Sequence, residues 1–139
     1  MPPPITKPAL LLHLLTETPA ALSFLFAPTA QLPGASPDAK LILRNLGGLL
    51  MATNLVSLVV LFTTRPEEED DKLTAMICVC LGTYHVWPLY RAWARMMRSG
   101  RPGQGQEKKV LGGPVVHFGV HLLCLGALVG GGVVALLGY

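Results

Sequence analysis

Charge is scarce in this chain. Only 14% of its residues are Asp, Glu, Lys or Arg, against about 25% in soluble domains. Cysteine is scarce too. The three thiols, Cys78, Cys80 and Cys124, cannot all pair, and Cys78 and Cys80 project to different faces of a helix. No CxxC pair offers a redox or metal motif, and all three read as small buried thiols. A zinc HExxH, EF-hand spacing in the acidic run Glu67–Asp71, a P-loop and a Ser/His/Asp arrangement are all missing. The net charge of +3 comes with no basic recognition motif, so nucleic acid is set aside as a partner.

What the chain has instead is apolar sequence in long blocks. Hydrophobic residues make up 51% of it, gathered into four runs of about the 20 residues that span a bilayer. The fold class expected is all-α: a polytopic membrane protein, a four-transmembrane-helix bundle, forming one domain over 1–139. The helices are placed at about 8–27, 41–63, 73–97 and 110–138. Pro8 suits a first helical turn, where its missing N–H is not needed. The first block also resembles a signal peptide, but Glu17 follows its apolar core at once and Pro28 spoils the cleavage site near Ala30. A retained helix is expected. Residues 1–7, 28–40, 64–72 and 98–109 read as a proline-rich lead, a turn region, an acidic loop and a basic, glycine-rich linker.

Orientation follows from Lys and Arg. Lys40, Arg44, Arg91, Arg95, Arg98, Arg101, Lys108 and Lys109 flank the first and third loops, while Lys7, Arg65 and Lys72 lie on the other side. The positive-inside rule puts loops 28–40 and 98–109 in the cytosol, with the termini and the acidic loop opposite. The endoplasmic reticulum and a plasma membrane are both open as locations. Leu46-Gly47-Gly48 and Leu111-Gly112-Gly113 stand at matching points of two helical hairpins, a pattern that duplication would leave.

Polar residues at membrane depth are costly, a few kcal/mol each on insertion scales, and are functional candidates by default. Each block has one near its centre: Glu17 (with His13 a turn earlier), Asn54, His85, and His121 (with His117 a turn earlier). At about 1.5 Å per residue these fall at about one level. Glu17, His85, His121 and Asn54 are the candidate catalytic set, and no cofactor or metal ion is assigned. Pro19 and Pro88 each free a carbonyl within a turn of Glu17 or His85, which points to kinks beside a polar pocket.

The third helix is two-faced. Cys78, Gly82, His85, Leu89 and Ala92 share one side. Tyr84, Trp87, Arg91, Arg95 and Arg98 share another, which reads as an interfacial anchor. On the fourth, Gly126-x-x-x-Gly130 and the Gly130–Gly132 run read as a helix-packing face.

Several classes of function remain open. An intramembrane acid–base enzyme would use Glu17 as proton donor, His85 or His121 as base, and Asn54 to orient an oxygen, isomerising or cyclising a lipophilic metabolite. A non-catalytic carrier, scaffold or assembly factor would use the same residues to hydrogen-bond its helices. Haem held by histidines of the third and fourth helices is a third class. Zinc on His85, His117, His121 and Glu17 is a fourth. The expected partners are membrane lipids, a lipophilic small molecule and further copies of the chain.

Arg44-Asn45-Leu46-Gly47-Gly48-Leu49-Leu50, followed by an apolar span, resembles the second helix of small DoxX-like four-helix membrane proteins, with a basic end to the third. That resemblance covers the second and third helices and implies a four-helix fold. The layout is also similar in outline to sterol-isomerase-type four-helix membrane enzymes, whose bundles centre acids and aromatics. This chain departs from them in having one central acid, Glu17.

Overall fold

A backbone in hydrocarbon finds no water, so each apolar block must satisfy its own N–H and C=O groups as a helix. The computed structural model describes residues 6–63, 70–99 and 113–137. Within them lie four helical spans long and apolar enough to cross a membrane. The first is α1 (Thr6–Phe26). A short α2 (Pro28–Gln31) turns the chain into α3 (Pro37–Thr63), the second span. The third span is α4 (Asp70–Tyr84) continued by α5 (Val86–Ser99). The fourth is α6 (Gly113–Leu125), a π-helical segment Gly126–Gly130, and α7 (Gly131–Leu136). The chain is an all-α, multi-pass bundle.

The packing is that of two hairpins joined through one helix. α3 lies along α1, while α4 and α5 lie along the fourth span; α1 also touches α4, α6, the π segment and α7. The buried residues of α3 are Gly47, Leu50, Asn54 and Ser57. Their spacing of three, four and three makes a single stripe. Lipid is as apolar as leucine, so close fit rather than burial from water holds such helices together. Glycine permits that fit. A Cβ on Gly47 would lie 3.0 Å from the carbonyl oxygen of Ala21, and one on Gly132 would lie 2.7 Å from that of Ala75. One on Gly82 would strike the Val129 side chain.

These contacts narrow the expected packing face to part of the Gly130–Gly132 run and exclude the Gly126-x-x-x-Gly130 pair. Gly126 and Gly130 have open space around them. The close approach falls on Gly132, which is buried beside Gly131, and on Gly82 facing the π segment. In the LGG stretch, Gly47 packs and Gly48 is open.

The two prolines behave differently. α1 runs as unbroken helix through Pro19. The third span breaks at His85, whose N–H reaches back to the carbonyl of Gly82 at 3.0 Å, the tighter three-residue turn. A Pro88 ring would crowd the carbonyl of residue 84 in a regular helix, and the turn at His85 relieves that. The break therefore sits on the candidate residue itself.

One half of the bundle is closed, around Ala9, Leu10, Cys78 and Leu128 with Val60, Leu61, Leu81 and Ala127 packed on them. The half nearer α2 is hollow. The acidic stretch 64–69, the linker 100–112 and the end residues 1–5 and 138–139 lie outside the described residues, and with them Arg65, Arg101, Lys108, Lys109, Leu111 and Gly112.

Candidate functional site

Three helices meet at the boundary between the closed and hollow halves. α1 supplies Glu17, the break between α4 and α5 supplies His85, and α6 supplies His121. Nδ1 of His85 and Nδ1 of His121 are 3.0 Å apart. Oε1 of Glu17 lies 3.6 Å from the first and 3.5 Å from the second. The Glu17 and His85 side chains are buried, and that of His121 is 12% exposed. A carboxylate oxygen and two imidazole nitrogens thus face one another across a gap of one atom's width.

His85 is held from behind. Its Nε2 is 3.1 Å from Nδ1 of His13, and the two rings meet edge to face with centroids 5.3 Å apart. One of these nitrogens donates and the other accepts, so the proton of His13 fixes that of His85. His13 lies four residues before Glu17, so the helical period puts both on the same face of α1. Nε2 of His13 is buried and meets no partner among the described residues. His117 extends the row, its ring centroid 6.2 Å from that of His121.

Beside the trio, in the hollow half, is a cavity of about 530 Å³. Glu17, Tyr84 and His121 line it; His85 does not and lies behind them. Its walls are apolar for most of their length, with Ala20 and Phe24 of α1, Leu43 and Leu46 of α3, and Val116 and Val120 of α6. Arg91 and Arg95 of α5 also line it, with Trp87 and Pro88. Arg91 and Arg95 are six and ten residues beyond His85, about 9 and 15 Å along a helix, so positive charge extends from near the polar trio along the α5 wall of one apolar space.

Of the four candidates read from sequence, Glu17, His85 and His121 are brought together. Asn54 is not. Its Nδ2 donates to Oγ1 of Thr18 at 3.1 Å on the contact between α1 and α3, it does not line the cavity, and its Oδ1 is buried with no partner among the described residues. Equal depth placed Asn54 with the others, but its helix is turned to a different side of α1. His13 belongs to the cluster although it was outside the candidate set; its four-residue offset from Glu17 was the available signal. Tyr84, Trp87, Arg91 and Arg95, four residues of the stripe read as an interfacial anchor, also line the cavity.

Haem does not fit this pair of histidines. Two axial imidazoles stand on opposite sides of a porphyrin plane. The facing nitrogens of His85 and His121, in hydrogen-bond contact, leave no room for one. No protein-family model, curated protein or solved structure matches the chain.

Proposed function

We propose that this chain is a small intramembrane enzyme that moves a proton on an amphiphilic metabolite, isomerising or cyclising it. One observation carries the reading: a carboxyl and an imidazole from different helices line one end of a large apolar cavity, with a second imidazole behind them. Polar groups that served only to join helices would have no need of a cavity large enough for a ligand, since pockets of about 300–1,000 Å³ are those that hold small molecules.

The reaction class follows from the groups present. Glu17 gives a proton to one carbon of a double bond, and His121 removes one from the saturated carbon attached to the other end, so the double bond moves by one position. The proton returns from His121 to Glu17 across 3.5 Å. The step is redox-neutral and needs no co-reactant. His85 is a positioning residue: it touches both and is locked by His13. Arg91 beside the apolar walls favours a substrate whose head is anionic or strongly polar and whose body is hydrocarbon. On the positive-inside count, the hollow half opens toward the cytosol. Asn54 serves the other class of role, joining α3 to α1 through Thr18.

The experiment compares extracted lipids and lipophilic metabolites from membranes containing the wild-type chain, the Glu17→Gln chain, or neither, by chromatography and mass spectrometry. The reading requires a product of unchanged mass that shifts in retention, present with wild type alone. An identical metabolite profile for wild type and Glu17→Gln, with both chains folded in the membrane, defeats it.

A further inference from the structure

We infer that Glu17, His85 and His121 form a binding site for a single divalent transition-metal ion, zinc being the one whose geometry matches. The distances carry this. A hydrogen bond from a charged imidazole to a carboxylate is about 2.7–2.9 Å long. Oε1 of Glu17 is not that close to either histidine: it stands at 3.5 Å from one Nδ1 and 3.6 Å from the other, favouring neither. With the 3.0 Å between the nitrogens, the three atoms form a near-equilateral triangle. Zinc bonds of about 2.0–2.2 Å in a tetrahedron space their ligand atoms about 3.4 Å apart. A triangle with the observed sides has a point about 2.0 Å from all three corners, within the zinc bond range.

The surroundings are those of such a site. The three ligand atoms are two imidazole nitrogens and one carboxylate oxygen, types that zinc accepts together. They come from three separate spans, so no sequence spacing announces them. His13 occupies the outer position that metal-bound histidines characteristically fill with a hydrogen-bond partner. A proton on Nε2 of His85, shared with Nδ1 of His13 at 3.1 Å, leaves the lone pair of Nδ1 for the ion. Two of the ligand residues, Glu17 and His121, line the cavity, so the fourth coordination position faces the space a substrate would occupy. Three protein ligands and one open position make a catalytic rather than a structural arrangement.

The inference rests on the trio's geometry and not on turnover. An ion in the triangle would be held by Glu17, His85 and His121, the groups assigned above to proton transfer, and would supply Lewis-acid chemistry at the same end of the cavity. Chelation separates the two readings: turnover that survives removal of the metal belongs to the side chains alone.

The test uses the full chain, purified in detergent without a polyhistidine tag. It is loaded with Zn²⁺ or Co²⁺, freed of excess by gel filtration, and measured by elemental mass spectrometry and visible absorption. Wild type and a Cys80→Ala control, changed at an exposed thiol outside the cluster, should each hold about one ion per chain, and the Co²⁺ form should show the intense d–d bands of a tetrahedral site. Glu17→Gln, His85→Gln and His121→Gln should lose both signals. His13→Ala should weaken binding about 10–100-fold, as loss of an outer partner does. Folded wild type that takes up no ion, an ion that survives all three ligand substitutions, or Co²⁺ bound without tetrahedral bands would each overturn it.

Discussion

Glu17 is the residue on which the most depends. Its oxygen faces two imidazoles and its side chain lines the cavity, so Glu17→Gln removes the group to which the proposed reaction assigns proton donation while keeping nearly the same volume. Loss of a positioned acid costs about 10²–10⁴-fold in rate, and kcat for the cavity substrate should fall by that much. A fall of less than about tenfold would show that another group donates the proton. His85 acts one layer back. His85→Asn should lower kcat with little change in KM, because His85 does not line the cavity; a rise in KM alone would place it against the substrate instead.

Of the three spans that meet at the site, α1 runs unbroken while the third breaks at His85 and the fourth carries a π segment; the third shows its reason most clearly. Pro88 prevents a regular helix across residues 84–88, and the resulting turn carries His85 toward α1 and α6. Pro88→Ala restores the missing N–H and lets the span run straight. The variant should keep its helicity by circular dichroism but lose about tenfold or more of its activity, because small displacements of a reacting group are costly. Unchanged activity would mean that the turn does not position His85.

Close helix contact is the other condition. Gly82 meets the π segment where a Cβ would collide with Val129, and overpacking of this kind costs about 1–3 kcal/mol. Gly82→Val should lower the thermal midpoint of the purified protein, while Gly126→Val, in open space, should leave it in place. Equal midpoints for the two would contradict the packing described.

At the scale of the whole molecule, the bundle has a closed half and a hollow half, and its orientation decides which compartment the hollow half faces. In a Cys80→Ala background, where the remaining thiols Cys78 and Cys124 are buried, Ser36→Cys should react with an impermeant maleimide from the cytosolic side. Glu68→Cys should react from the opposite side. Labelling of both from one side, or in the reverse sense, would refute the orientation.

The sequence by itself determined the class of protein, the number of spans and the identity of the polar residues within them. Block length, scarcity of charge and the 3.6-residue period are local properties, written in consecutive residues. They also determined that Cys78, Gly82, His85 and Ala92 share a face, and these four are buried. Only the tertiary structure decided which polar residues meet. Glu17, His85 and His121 do, with His13 behind them, while Asn54, at the same depth, binds Thr18 on another side of α1. The reason is rotational. The helical period relates residues within one span, but the angle at which one span faces another is set by contacts between distant segments: Gly47 on Ala21, Gly82 on Val129, Gly132 on Ala75. The same contacts leave the space beside Glu17 unfilled, and no stretch of sequence taken alone describes a cavity bounded by four spans.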